Sequence, residues 1–236
     1  MNKLIILILS VLLIVLSVNS NETRWDSSSG SSDTTPGDFD YYLFVQQWIY
    51  SYCSESKCIE NKEREAFTIH GLWPNDRNNS YPAFCTGPSF DLGEISDLED
   101  QLNVDWISLT EDNDLFWTSE YKKHGTCAVV AGSPISNEHD YFVAGLKLYT
   151  QHNLTSALIS ENIYPSDQDT YESDSISSAI NSQFGGQPVM QCDNNKLSTI
   201  ALCIDKKTLS IMDCPEVDGF DTCSGKVSIP SSSNRL

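Results

Sequence analysis

Residues 39–74 read FDYYLFVQQWIYSYCSESKCIENKEREAFTIHGLWP, and this stretch decides the fold. Its first ten residues, Phe39 to Trp48, are rich in aromatic and β-branched side chains, which predicts a core strand. Cys53 and Cys58 bracket a short loop just after it. Ala66 to His70 predicts a second strand, ending in a turn over Gly71-Leu72-Trp73-Pro74. Alternation puts Phe67 and Ile69 on one face and Thr68 and His70 on the other. His70 thus stands at a strand end, before a glycine that lets another group approach the backbone closely.

Downstream, helical and strand patterns are interspersed. Asn75 to Ser89 is polar, holds Pro82 and Pro88, and predicts an ordered loop pinned at Cys85. Ile95, Leu98 and Leu102 recur at helical spacing. Asp114 to His124 predicts a helix, with Asn113 as its cap and Gly125 as its stop. Tyr141 to His152 is helical by its Phe142, Leu146 and Tyr149 stripe, and Ser175 to Phe184 is closed by Gly185-Gly186. Pro188 to Cys192, Leu197 to Ile204 and Leu209 to Cys214 predict strands, the last two as a hairpin. Such interspersion without βαβ regularity predicts an α+β fold: a central antiparallel sheet with flanking helices and four disulfides.

The ends of the chain have a different composition. Lys3 and the apolar run Leu4 to Val18 precede small residues at Val18-Asn19-Ser20. The run is short of the roughly 20 residues a membrane span needs, so residues 1–20 predict a signal peptide cleaved near Ser20. Residues 21–37 are Ser-rich and predict a leader or propeptide, 38–223 the folded domain, and 224–236 a polar C-terminal tail. Eight cysteines behind a signal peptide read as four disulfides in an oxidising compartment. Zinc is the competing reading, but no pair has CxxC spacing and the histidines do not cluster with the cysteines. Asn78 and Asn153 begin glycosylation sequons. The expected destination is secreted or lysosomal/vacuolar, with no membrane association after signal removal and the protein acting as a monomer.

Charge narrows the function classes. Fourteen basic against thirty-three acidic residues give −19 at pH 7, the wrong sign for storing or packaging a polyanion. Transient binding at low pH, where carboxylates protonate and histidines charge, is still open to it.

The second informative segment is Phe116-Trp117-Thr118-Ser119-Glu120-Tyr121-Lys122-Lys123-His124-Gly125-Thr126-Cys127. On a helix, Glu120 and His124 are i,i+4 neighbours, Lys123 lies at i+3, and Phe116 stands one turn earlier. A solvated charge pair is the ordinary reading of such spacing, but a histidine held between a glycine and a cysteine weakens it. With His70, this segment supplies what cleavage of an RNA phosphodiester needs. One imidazole takes the 2′-hydroxyl proton, another protonates the leaving 5′ oxygen, and Lys123 neutralises charge on the phosphate. The nucleophile belongs to the ribose, so no metal or cofactor is required and DNA cannot react. His139, at a polar helix start, and His152, beside a sequon, are read as non-catalytic.

At these residues the chain resembles the ribonuclease T2 family, acid and largely base-nonspecific enzymes that include the plant S-like ribonucleases. The resemblance rests on the FVQQW strand, the FTIHGLWP and FW..E..KHGTC blocks, and the cysteine pattern to Cys223, together covering nearly all of 39–223. It implies single-stranded RNA as substrate, a 2′,3′-cyclic phosphate product and later opening to a 3′-phosphate. It implies His70 as general acid, His124 as general base, and Glu120 and Lys123 as stabilisers of the pentacovalent phosphorus. It further implies Trp73 beside the first base, Gln47 and Phe116 at the second, and disulfides Cys53–Cys58, Cys85–Cys127, Cys192–Cys223 and Cys203–Cys214. Three departures stand out. Ser119 occupies the place of a third, phosphate-binding histidine, Tyr121 that of a common tryptophan, and Asn75 that of a base-reading aspartate in some relatives. The loss of a cation at Ser119 predicts weaker substrate binding with the proton-transfer pair intact. It also leaves a catalytically weak storage or recognition glycoprotein as the alternative. A metal-dependent phosphodiesterase lacks ligand spacing among the acidic residues.

Overall fold

The computed structural model describes residues 35–232. The signal segment and all but the last three residues of the 21–37 leader lie outside the described residues, as do 233–236. In chain order the elements are β1 (Tyr41–Trp48), α1 (Ile49–Glu55), β2 (Phe67–Asn75), a 3-10 turn (Leu92–Ile95), α2 (Glu99–Asp105) and α3 (Asn113–Glu120). A π-helical turn (Tyr121–Gly125) leads into α4 (Thr126–Ala128), then α5 (Glu138–Gln151), α6 (Leu154–Ser160), β3 (Tyr171–Glu172) and α7 (Ser173–Phe184). Four strands follow: β4 (Val189–Asp193), β5 (Lys196–Asp205), β6 (Ile211–Met212) and β7 (Lys226–Val227).

β1 is central because it has no face to expose. All eight of its residues are buried, and antiparallel partners flank it on both edges in the order β2-β1-β5-β4, with β6 on β5. Tyr42, Phe44 and Trp48 enter the main core, with Trp106, Trp117, Tyr141 and Phe142 from the helical side. Tyr41, Leu43 and Val45 enter a smaller cluster with Val189, Ala201 and Phe220 on the other face. This two-sided burial explains the near-continuous apolar run. Truncating a ring such as Trp48 or Phe44 to alanine costs about 3–5 kcal/mol by cavity formation.

β2 departs from the sequence expectation. Its strand does not end at His70 but runs on through Gly71-Leu72-Trp73-Pro74 to Asn75, which pairs with Tyr41. The register steps from Gln46↔Ile69 to Val45↔Gly71, leaving His70 as the extra residue of a β-bulge. The bulge shifts the phase: Phe67 and Ile69 enter the main core two residues apart, but Leu72 follows three later. Bulges re-aim side chains in this way. Pro74 is tolerated because β2 is an edge strand. Tyrosines of α5 cover that edge, Tyr141 Oη donating to Leu72 O at 3.1 Å and Tyr149 Oη to Phe67 O at 2.7 Å.

Other boundaries also move. Gly125 is not a stop: its φ of −60° and ψ of −42° are helical, and the chain continues into α4. Glycine is required there because a Cβ would lie 2.3 Å from Tyr121 Cδ2. Nor does Asn113 cap α3, since Asp112 precedes the first turn and the Asn113 side chain is engaged by Ser108 N at 2.9 Å. The Ile95–Leu102 stripe forms two short elements, the 3-10 turn that Asp91 caps through Gly93 N and then α2 from Glu99. Helices α1 and α6 carried no expectation.

Residues 224–232 are part of the domain rather than a polar tail. β7 pairs with β3, Val227 and Ile229 are buried, and Trp48 Nε1 donates to Pro230 O at 2.9 Å. Disulfides join Cys53–Cys58, Cys85–Cys127, Cys192–Cys223 and Cys203–Cys214.

Candidate active site

The bulge and the π-helical turn face each other across one cleft. The bulge presents His70; its carbonyl accepts from Trp106 Nε1 at 2.9 Å, which anchors the backbone beneath the ring. The wider π turn carries Lys122, Lys123 and His124 within five residues, and such turns recur at functional sites. Trp73 lies between the two imidazoles. His70 meets it edge-on at 5.0 Å between ring centroids, and His124 stacks on it at 5.0 Å with 18° between planes. Phe116 reaches His70 from α3 at 5.8 Å.

Glu120 links both sides. Its Oε2 accepts from Trp73 Nε1 at 2.8 Å, while Oε1 stands 3.8 Å from His70 Nε2, an ion-pair separation if that imidazole is protonated. Gly71 makes this closure possible, because a Cβ there would lie 2.1 Å from Trp73 Nε1 and 2.2 Å from Glu120 Oε2. The π turn is braced from behind by Cys85–Cys127 and by Phe84 N donating to Lys123 O at 2.9 Å.

Burial sets the protonation states. It pushes His70 down to about 4, helped by the Lys123 charge. His124 is driven well below its ordinary value by burial, then by Lys123 and His70. Glu120 moves up to about 8 by burial, against the opposing Trp73 hydrogen bond and Lys123. Burial thus favours the neutral form of all three groups. A nearby anion works against this shift, because it favours the charged form of an imidazole. His124 Nδ1 is buried and has no hydrogen-bond partner.

The cleft holds about 1000 Å³ and is lined by Gln47, His70, Trp73, Phe116, Ser119, Glu120, Lys123 and His124. All eight sequence-derived site residues thus share one cavity. Ser119 faces it with a hydroxyl and no charge. Asn75, at the end of β2, lines the cleft too, at the position that the resemblance links to base reading. Tyr81 and Phe84 from the loop after β2, Ser108–Glu111 before α3, and Val217, Asp218 and Phe220 had little or no sequence signal. Phe84 is the most visible of these, an aromatic that is 55% exposed beside a cysteine whose partner follows His124.

The other candidates sit apart from the cleft. His139 pairs with Asp97 at 3.1 Å, and His152 Nδ1 lies 2.9 Å from Leu148 O. Asn78 and Asn153 are exposed; Asn153 caps α6 through Ser156 N at 2.8 Å. Among the described residues no group of three or more His, Cys, Asp or Glu is arranged to hold a metal, and no helix is long and apolar enough to cross a membrane.

Comparison with known proteins identifies the family. Residues 39–214 match the model of the Ribonuclease T2 family. The chain is 58% identical to Ribonuclease DdI of Dictyostelium discoideum over 229 residues, 97% of this chain and 99% of that protein. It is 36% identical to Intracellular ribonuclease LX of Solanum lycopersicum, over 84% of this chain and 86% of that one. Among solved structures, RNase NT in complex with 5′-AMP superposes with a TM-score of 0.74 at 35% identity, covering 82% of this chain and 98% of that chain.

Proposed function

We propose that this chain, which belongs to the ribonuclease T2 family and is an endoribonuclease, cleaves single-stranded RNA without a metal by an acid–base pair of histidines. His124 takes the proton of the ribose 2′-hydroxyl. The 2′ oxygen then bonds to phosphorus, the bond from phosphorus to the 5′ oxygen breaks, and His70 protonates that leaving oxygen. Glu120 and Lys123 hold the phosphate as negative charge grows on its oxygens, the main electrostatic term in such reactions. The product is a 2′,3′-cyclic phosphate, opened later by water to a 3′-phosphate. DNA lacks the attacking hydroxyl and is inert.

The observation that carries this reading is the pair of imidazoles flanking Trp73, each 5.0 Å from it, with the Glu120 carboxyl bound to the same indole. Their lowered proton affinity supports an acid working range, since an acid–base pair needs one member protonated and one not. Four disulfides and two exposed sequon asparagines, Asn78 and Asn153, support passage through the secretory route to the medium or an acidic vacuole. A cleft completed by one chain supports action as a monomer.

The test is RNA cleavage at pH 5 in EDTA by the wild type and the His70→Phe and His124→Phe variants. Activity is expected in the wild type and lost in both variants. A variant that still cleaves is not missing its acid or base, and a wild type silenced by EDTA uses a metal.

A further inference from the structure

Four consecutive residues, Ser108 to Glu111, form a cleft wall without regular secondary structure. They line the same cleft as Gln47 and Phe116, where the family resemblance puts the second base. Ile107 N donates to Thr68 Oγ1 at 3.4 Å, and Thr68 pairs in register with Gln47. Only Leu109 of the four is apolar, packed with Ile49, Ile107 and the Cys53–Cys58 pair. The shape of the rest depends on polar contacts, and these converge on one ammonium. Lys62 Nζ donates to Ser108 O at 2.7 Å, to Asn113 Oδ1 at 3.1 Å and to Glu111 O at 3.2 Å. The same Asn113 oxygen accepts from Ser108 N at 2.9 Å, and Ser108 Oγ accepts from Glu111 N at 3.1 Å.

A lysine ammonium has three donors, and here each has an acceptor. They close both ends of the loop and tie it to the first residue of α3, the helix that carries Phe116. Lys62 is half-buried, and burial lowers its proton affinity against the opposing charges of Asp112 and Glu111. Charge-assisted bonds in such a setting are stronger than neutral ones.

We propose that Lys62 is a positioning residue for the leaving nucleoside: it sets the wall of the pocket that Gln47 and Phe116 share, without touching His70 or His124. This rests on the acid–base reaction above. Its consequence separates the two steps. Transphosphorylation needs the downstream nucleoside seated against the wall. Opening of the cyclic phosphate does not, because a water oxygen bonds to phosphorus there, the bond to the 2′ oxygen breaks, and that oxygen takes a proton.

The experiment compares wild type, Lys62→Met, Lys62→Gln and Lys62→Arg on dinucleoside monophosphates with each of four downstream bases, and on uridine 2′,3′-cyclic phosphate. For Lys62→Met, kcat/KM on the dinucleotides is expected to fall ~10-fold, mainly through KM, with downstream base preference flattened. Turnover of the cyclic phosphate stays within about twofold of wild type and the pH profile is unchanged. Lys62→Arg recovers most of the loss, and Lys62→Gln lies between. Equal losses on both substrates would make Lys62 a general scaffold residue and overturn the proposal, as would dinucleotide cleavage at the wild-type level. A wild type inactive on both substrates would instead overturn the reaction on which the proposal rests.

Discussion

Two walls of the cleft are held by different physics. The wall that carries His124 is a helical segment, tied to the post-β2 loop by the Cys85–Cys127 bond, stacked on Trp73 through His124, and closed internally by the Tyr121 ring against Gly125. The Ser108 to Glu111 wall is a loop whose shape depends on Lys62 and Asn113. Groups that move protons must be held to fractions of an ångström, since a misplacement of about 1 Å can cost on the order of 100-fold in rate. A covalent bond and interlocked rings achieve this. A wall proposed to receive a nucleoside of variable base tolerates softer support.

This contrast can be broken or sharpened by mutation. Replacing His124 by phenylalanine keeps an aromatic ring beside Trp73 but removes the proposed base, and kcat for RNA should fall ~10³-fold. Single-turnover assays at saturating RNA, with circular dichroism to show a folded variant, measure it. Gly71→Ala is the next largest effect. The added methyl drives Trp73 from Glu120, and we expect ~100-fold lower kcat and about 1–3 kcal/mol of lost stability, read by urea unfolding. An alanine variant with wild-type kcat would show that the closure across Gly71 is not needed.

Removing the Cys85–Cys127 pair by double serine substitution frees a 42-residue separation, for about 2–4 kcal/mol of stability in thermal unfolding. If the brace positions the π turn, kcat falls as well, by ~10-fold, while downstream base preference is retained. That is the mirror image of the Lys62 result and separates the walls directly. A pair of variants with the same signature would erase the distinction.

The smallest effect is in stability against pH. Glu120 binds its proton more tightly when folded, up to about 8, so its contribution is complete below the ordinary carboxyl range and is lost as pH rises through 8. The histidines act in the opposite sense, their contribution falling away as pH drops below about 6.5 towards the lowered values. Glu120→Gln leaves the histidine part in place. The variant should therefore gain on wild type between pH 5 and pH 8, by on the order of 1–3 kcal/mol in urea midpoints. A constant difference across that range would mean that Glu120 titrates normally.

Much of this organisation was legible in the chain. β1 was readable because a strand buried on both faces is apolar throughout, and His70 and His124 were readable because their blocks are long and specific. The extension of β2 was not. The dipeptide Trp73-Pro74 reads locally as a turn, and only the pairing of Asn75 with Tyr41 and the edge position of the strand override it. Gly125 was misread for a related reason, since a glycine that ends a helix and one that admits a neighbouring ring look alike in sequence. The 108–111 wall had no signal at all, being polar and aperiodic, and Lys62 lies 46 residues from the carbonyl it holds. Val227 and Ile229, buried beyond the last cysteine, were hidden by the serines around them.

The claim at the centre is that the substrate's own ribose supplies the nucleophile while His124 and His70 move the protons. An oligodeoxynucleotide with a single ribonucleotide, incubated at pH 5 in EDTA, tests it most directly. The expected result is one cut, 3′ to the ribonucleotide, leaving a 2′,3′-cyclic phosphate and a 5′-hydroxyl, with no cut by His124→Phe. Cuts within the deoxy tracts, or a 5′-phosphate at the new end, would contradict it.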